Sequence, residues 1–299
     1  MRHPSIQQLQ LFLLLAEELH FGRAARRAFM AQPTFSRHIT ALEERLGVAV
    51  VERTTRRVVL SAAGEALVGR ARTVVEAAEE LRREAERRAN AAAGRIVIGS
   101  LEAITSMDPI PAVLEELRKE FPQLEVDVVR MGFDAGQAVL RGDVDAAFLF
   151  LPVPDGVQTL ALAGGPRCVA MADSHPFAAR GALTLADLAD QPRIGWSEQV
   201  PRVFRDFWSA GPRPDGTPVR FSPHAVVDYE SALPLIAMGQ GIQLPPDVAR
   251  RLYPRHGVSY VDVTDLAPWT AALGWLPSRR DEPLVAALRR AAQRALRRA

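Results

Sequence analysis

Five residues within one stretch of six, Gln32, Pro33, Thr34, Ser36 and Arg37, offer groups suited to reading nucleic acid. A glutamine amide pairs bidentately with adenine, and a guanidinium takes guanine N7 and O6 or a phosphate. The hydroxyls of Thr34 and Ser36 suit phosphate or base hydrogen bonds, and Pro33 suits packing on a thymine methyl. Two further guanidinium groups, Arg53 and Arg56, stand in the polar turn Arg53-Thr54-Thr55-Arg56-Arg57 and fit a narrow, electronegative minor groove. The bland alternative is a solvated helix face beside an ordinary polar turn. The decision lies with the elements that would hold these groups together.

Ile6, Leu9, Leu13 and Ala16 recur at spacings of three and four, which predicts an amphipathic helix over 5–20. A second, short helix follows Gly22, with Ala24, Ala25 and Ala28 as small packing residues, and Met30 and Ala31 make a turn. Pro33 suits a first helical position and Gly47 a left-handed terminator. Between them Phe35, Ile39, Leu42 and Leu46 form one apolar stripe, which leaves Thr34, Ser36, Arg37, His38 and Ala41 on the opposite face. Val48–Glu52 and Val58–Leu60 then read as a hairpin with an arginine-rich tip.

Ser61 can cap the next helix, which runs to about Ala89 and spans roughly 43 Å at ~1.5 Å per residue. Gly64, Leu67, Ala71, Val74, Ala78, Leu81 and Ala85 alternate by three and four along it, the pattern of a coiled-coil seam. Leu67, Ala71, Val74, Ala78 and Leu81 are therefore candidate dimerisation residues. Asn90 to Gly94 read as a short linker.

From Arg95 onward strands and helices alternate. Strands are predicted at Ile96–Gly99, Glu125–Val129, Val144–Phe150, Arg167–Met171, Arg193–Trp196, Val219–Phe221, Ile242–Leu244 and Thr270–Trp275. Helices are predicted at 108–120, 134–141, near Leu185, Phe204 and Leu233, and at 282–298. Such alternation argues α/β architecture with parallel sheets, and two such units joined by crossovers leave a cleft for a ligand.

Composition narrows the function classes. Residues 1–60 hold nine Arg against five Glu, while the whole chain carries only +2, so a basic module precedes a near-neutral body. The single cysteine, Cys168, allows no disulfide within the chain and no multi-cysteine metal site. No phosphate-cradling glycine loop, nucleophile elbow or metal-spaced histidine pair is present, and the six histidines are scattered, so no catalytic residue and no metal ligand is assigned. The N-terminus lacks the pattern of a signal peptide and no run is long enough to span a bilayer, which makes a cytoplasmic protein with no membrane partner the expectation.

The run FGRAARRAFMAQPTFSRHITALEERLGVAVVER, Phe21 to Arg53, resembles the DNA-binding signature of the LysR-type transcriptional regulators, as does TTRRVVLSAAGEAL, Thr54 to Leu67. Weaker landmarks of that family's effector domain are His175-Pro176-Phe177-Ala178, Leu185-Ala186-Asp187-Leu188, and Ala237-Met238-Gly239-Gln240-Gly241-Ile242 with Pro245. The resemblance implies a winged helix-turn-helix over 1–60, a dimerising linker helix over 61–90, and a two-lobed, periplasmic-binding-protein-like effector domain over 94–299. Its first lobe would comprise 94–164 and 266–299, its second 165–265. It also implies double-stranded promoter DNA as partner, a homodimer that pairs into a homotetramer, contact with RNA polymerase in an activator, and a small-molecule co-inducer in place of any cofactor.

By the same resemblance the effector sits near the end of the first strand of that domain. Ser100 and Thr105 then offer hydroxyls to a carboxylate at a helix N-terminus, Met131 to Phe133 and Phe148 offer apolar walls, and Trp196 and Ser197 stand opposite. Many relatives with aromatic-acid effectors carry a hydroxyl residue about where this chain has Phe133, a departure that points to a larger or more apolar ligand. Peroxide-sensing members need two cysteines, whereas Cys168 lies in an apolar strand and reads as buried and inert. The arginine-rich terminal helix reads as a solvated face. An enzyme, a transporter's solute-binding protein and a ligand-free architectural DNA-binding protein are the competing classes. Promoter-specific binding and ligand-induced stabilisation separate them.

Overall fold

The computed structural model describes residues 3–53, 58–92, 94–213 and 216–298, with the side chains of Arg53 and Ala92 outside that description. The chain divides into two compact units, Met1–Glu86 and Arg87–Ala299.

The first unit opens with helix α1 (Ile6–Glu18), which starts where it does because Ser5 and Gln8 cap each other reciprocally. Ser5 Oγ accepts the Gln8 N–H at 3.2 Å, and Gln8 Oε1 accepts the Ser5 N–H at 3.0 Å. Helix α2 (Phe21–Arg27) is capped by His20, whose Nδ1 accepts the N–H groups of Gly22 and Arg23 at 3.1 and 3.2 Å. It ends in a Schellman pairing, Met30 N–H to Ala25 O at 3.0 Å and Phe29 N–H to Arg26 O at 3.1 Å. Helix α3 (Gln32–Leu46) holds Pro33 at its second position, one later than expected, and stops at Gly47 with φ 72°. Phe35, Ile39 and Leu42 are fully buried with Phe12, Leu15 and Ala24, while Leu46 packs at the margin of that core. Strands β1 (Val51–Arg53) and β2 (Val58–Leu60) pair antiparallel with Val51 opposite Leu60. Glu43 Oε1 accepts the N–H of Val50 at 2.9 Å and of Val51 at 3.3 Å, which ties the hairpin to α3.

Helix α4 (Ala62–Ala92) follows, with Ser61 Oγ accepting the Gly64 N–H at 2.9 Å as a cap. Its first turns belong to the first unit's core: Ala71 is buried there and Leu67 and Val75 pack against it. The expected seam therefore splits. Leu67 and Ala71 face inward, whereas Val74 and Leu81, seven residues apart, are 46% and 72% exposed.

The second unit contains two sheet systems. In the first, β3 (Arg95–Leu101) lies between β4 (Glu125–Met131) and β5 (Ala146–Phe150), all parallel. β12 (Trp269–Trp275) then pairs antiparallel with β5 and with β6 (Gln158–Gly165). Helices α5 (Ile110–Glu120) and α10 (Pro283–Leu296) pack together beside this sheet, and α6 (Ala135–Arg141) packs on β3 and β5. In the second system β11 (Val258–Val263) lies between β7 (Arg167–Ala172) and β8 (Ala182–Leu183), and β9 (Arg193–Trp196) pairs with β10 (Phe221–Val226). Helices α7 (Arg202–Trp208), α8 (Tyr229–Ala237) and the short α9 (Ala249–Leu252) complete it. The chain passes between the systems twice, after β6 and before β12.

Four expectations need correction. The sheets are mixed rather than wholly parallel, because β12 returns from the second system and runs against β5 and β6. Residues near Leu185 form turns, since Asp187 Oδ2 accepts both the Thr184 N–H at 2.8 Å and its hydroxyl at 2.7 Å, closing the chain before a helix starts. Ile242–Leu244 is no strand of its own. It lies between the two small sheets, bridging Arg193 through Ile242 and Ala170 through Gln243. The strand expected at Val219–Phe221 begins only at Phe221 and runs to Val226.

A Cβ at Gly64 would lie 2.0 Å from the Val50 carbonyl oxygen. Alanine gains up to about 1 kcal/mol over glycine in a helix interior, but overpacking costs about 1–3 kcal/mol and the obstacle here is backbone. Gly64→Ala is expected to lower stability in urea denaturation of the chain; a gain in stability contradicts this packing.

Candidate functional site

In the first unit the apolar stripe of α3 fixes which of its residues face water. Gln32, Pro33 and Arg37 are exposed, and Thr34 and Ser36 half-buried, so the five stand together on the open side of the helix start. Arg37 Nη2 donates to Thr34 Oγ1 at 3.3 Å, and the Gln32 side chain lies beside the start of α2 at Gly22. The α1–α2 corner is braced by Arg23 and Arg27 on Glu18, and these guanidinium groups hold the Glu18 carboxyl below the usual carboxylate range. Arg53 reaches the end of β1 by its backbone, and Arg56 lies outside the described residues.

Phe29, which no sequence signal marks, occupies the turn that enters α3. It is 97% exposed and sits at φ 52°, the left-handed position glycine usually takes in this motif. Composition gives no hint of it, because exposure and backbone angle are properties of the turn.

In the second unit a partly open cavity is lined by segments from both sheet systems. Phe133 and Trp196, two of the expected effector residues, line it and meet edge-on at 4.7 Å. The other four do not line it. Ser100 turns its hydroxyl onto the Glu102 carbonyl at 3.1 Å, Phe148 is 0% exposed within the first sheet, and Thr105 and Ser197 lie off the wall. Met131, grouped with Phe133 in the sequence, instead covers Gly99 from the neighbouring strand.

The wall contains groups that sequence reasoning missed. Glu102, in the short 3-10 turn after β3, is buried and held at φ 49°. Its carboxylate accepts the Tyr229 N–H and, at 2.7 Å, the Tyr253 hydroxyl. Burial pushes this carboxyl up to about 7, against the lowering by those two hydrogen bonds. Arg167, wholly buried, donates to Leu244 O at 2.8 Å, Phe207 O at 3.1 Å and Trp208 O at 2.8 Å, and it stacks on both aromatic rings. It thereby fixes the Leu244–Pro246 segment and the end of α7 that carries Trp208, both part of the wall. Burial draws its guanidinium down to about 9. Cys168 Sγ lies 3.5 Å from the Pro246 carbonyl, and burial pushes the thiol up to about 12, so it is no ready thiolate. Among the described residues no group of three or more His, Cys, Asp or Glu is placed to hold a metal ion, and no helix is long and apolar enough to cross a membrane.

A helix-turn-helix unit joined to a two-sheet unit with an internal cavity also matches known proteins. Residues 6–65 match the family description "Bacterial regulatory helix-turn-helix protein, lysR family", and residues 89–297 match "LysR substrate binding domain". The chain belongs to the LysR family of transcriptional regulators and is not an enzyme. It is 31% identical to the HTH-type transcriptional regulator AlsR of Bacillus subtilis over 83% of this chain and 82% of that one. A mutant of OxyR from Corynebacterium glutamicum is similar in structure, with TM-score 0.51, 28% identity, and coverage of 99% of this chain and 94% of that one. CbnR, a LysR family transcriptional regulator, shares the fold at TM-score 0.58 and 21% identity, with 98% of this chain and 99% of that one covered. A DNA-binding domain and an effector-binding domain are thus the two working parts of the molecule.

Glu102 supplies a test of the cavity's electrostatics. Its carboxyl rises from the ordinary 4.5 to about 7 in the folded chain, so the folded state holds its proton more tightly than the unfolded one. Stability on this account falls as pH rises from 4.5 to 7, by about 3 kcal/mol over the window. Glu102→Gln removes that slope. Denaturation at several pH values is expected to show the variant gaining on the native chain as pH rises through the window, and parallel curves contradict the assignment.

Proposed function

We propose that the start of α3 enters the major groove of promoter DNA, with Gln32 and Arg37 at base edges and Thr34 and Ser36 on phosphates or bases. The observation that carries this reading is the burial of Phe35, Ile39 and Leu42, which turns those polar residues to the open side of the helix. Pro33 packs on a thymine methyl, while Arg53 and Arg56 in the hairpin reach the backbone or the minor groove. Phe29 adds an apolar contact beside them, since a fully exposed aromatic ring in a strained backbone position is disfavoured in the free protein.

The domains run 1–60, 61–90 and 94–299, the last comprising lobes of 94–164 with 266–299 and of 165–265. The stripe of α4 formed by the exposed Val74 and Leu81 and the half-buried Ala78 pairs with a second copy, and the dimers join as a tetramer. The cavity between the lobes takes the effector, and its occupancy alters transcription, through RNA polymerase where the protein activates. The protein acts in the cytoplasm. Cys168, alone and buried, gives no support to peroxide sensing.

Mobility shift on the DNA upstream of the protein's own coding region tests the main reading, with a salt-sensitive preference over random duplex as the expected result. Within that assay Gln32→Ala should relax discrimination at particular bases by about 1–3 kcal/mol, whereas Arg56→Ala should weaken all sequences alike. Identical base-preference profiles for the two variants contradict the assignment. Phe29→Asn is expected to raise stability by roughly 1 kcal/mol, because asparagine tolerates the left-handed region, while weakening promoter binding. A variant that binds as tightly as the native chain removes Phe29 from the interface.

A further inference from the structure

The chemical class of the effector can be read from the cavity's lining, an inference that rests on the cavity being the effector site. Among its lining residues Glu102 is the only one that carries a full charge. Its partners, the Tyr229 N–H and the Tyr253 hydroxyl, are neutral, and the Arg130 guanidinium is paired with Asp228 at 3.5 Å. A buried carboxylate with neutral partners carries uncompensated charge. Aromatic rings line the same cavity. Tyr229 and Tyr253 meet at 5.1 Å, and Phe133, Trp196 and Phe204 lie within 5.9 Å of one another. A carboxylate among aromatic faces is the arrangement that receives an ammonium group, by ion pairing and by attraction of the cation to the rings.

Two further wall residues point to the other end of a ligand. Trp208 Nε1 and Gln243 Nε2 are buried and have no hydrogen-bond partner. Orphaned buried donors are costly, and both belong to residues that line the same cavity. The left-handed backbone at Glu102 is a third sign, since strain of that kind is retained where it serves a site.

We propose that this cavity selects a small organic cation, with a protonated amine against Glu102, an aromatic-sized apolar body between the rings, and a hydrogen-bond acceptor facing Trp208 and Gln243. This reverses the carboxylate expected from Ser100 and Thr105: a carboxylate placed here would face Glu102 across a low-dielectric space, and the Ser100 hydroxyl is already engaged. Glu102 also bridges the chain between the two sheet systems, because Tyr229 begins α8 while Glu102 follows β3. An amine bound to it therefore bears on both.

The test uses the purified full chain, with thermal shift and calorimetry against phenethylamine, para-methoxyphenethylamine, phenethyl alcohol and phenylpropionate. At about pH 8 phenethylamine should bind about tenfold or more tightly than the alcohol, a difference of ~1.4 kcal/mol. Phenylpropionate should not bind, and the methoxy amine should exceed its parent. Glu102→Gln should abolish the preference of amine over alcohol while leaving alcohol binding intact. Trp208→Phe should abolish the methoxy advantage and keep the amine preference. Amine affinity should fall as pH is lowered below 7, as Glu102 takes up a proton, with Tyr229, Tyr253, Asp228 and Arg130 the other titratable groups facing it. Tighter binding of phenylpropionate than of the amine, or an unchanged preference in Glu102→Gln, overturns the cationic ligand while leaving the cavity as the effector site. If no probe binds at millimolar concentration, the proposal falls, whether or not the promoter shift is intact.

Discussion

The rotation of α3 about its own axis is set by three side chains, and the DNA-binding half of the molecule follows from it. Phe35, Ile39 and Leu42 can be buried against α1 and α2 in one orientation only, and that orientation turns Gln32, Pro33 and Arg37 outward. Neither the caps at Ser5 and His20 nor the Glu43 tie to the hairpin would position an interface if this stripe faced elsewhere. The hydrophobic effect is non-directional, but on a helix its periodicity becomes a direction.

The second unit meets a different constraint. Its cavity wall is assembled from segments far apart in the chain, so no local pattern marks it. A buried guanidinium at Arg167 gathers the carbonyls of Phe207, Trp208 and Leu244 into one place, and an isolated cation is tolerated there because carbonyl oxygens and ring faces surround it. Removing it would release the wall on two sides. Arg279 does comparable work in the first sheet system, joining Asp145, Glu282 and the Val144 carbonyl in one network.

The sequence reveals the first unit far more fully than the second, for physical reasons. Helical periodicity, Pro33 and Gly47 are local signals that land within a residue or two of their places, and the hairpin is found as expected except that its first strand begins at Val51 rather than Val48. Strands β6 and β11 give no such signal: β6 sits among glycines, and β11 mixes Ser and Asp with its valines, so neither shows a clean apolar run. In the cavity Phe133 and Trp196 are legible as aromatic residues at strand ends. Glu102 is not, because a lone acid after an apolar strand looks like a solvated loop until the Tyr229 and Tyr253 partners close over it. Ser100 misleads for the converse reason. Its hydroxyl has a partner two residues away that no spacing rule foretells.

The missing side chain at Gly64 has a mechanical meaning. With no Cβ, α4 lies in contact with the Val50 carbonyl at the root of the hairpin, and Glu43 grips the same residue's N–H from α3. A helix wedged in this way cannot roll without carrying the hairpin and the neighbouring helix with it. Torque applied along the first turns of α4 is therefore passed to the root of the hairpin at Val50 and, through Glu43, to α3.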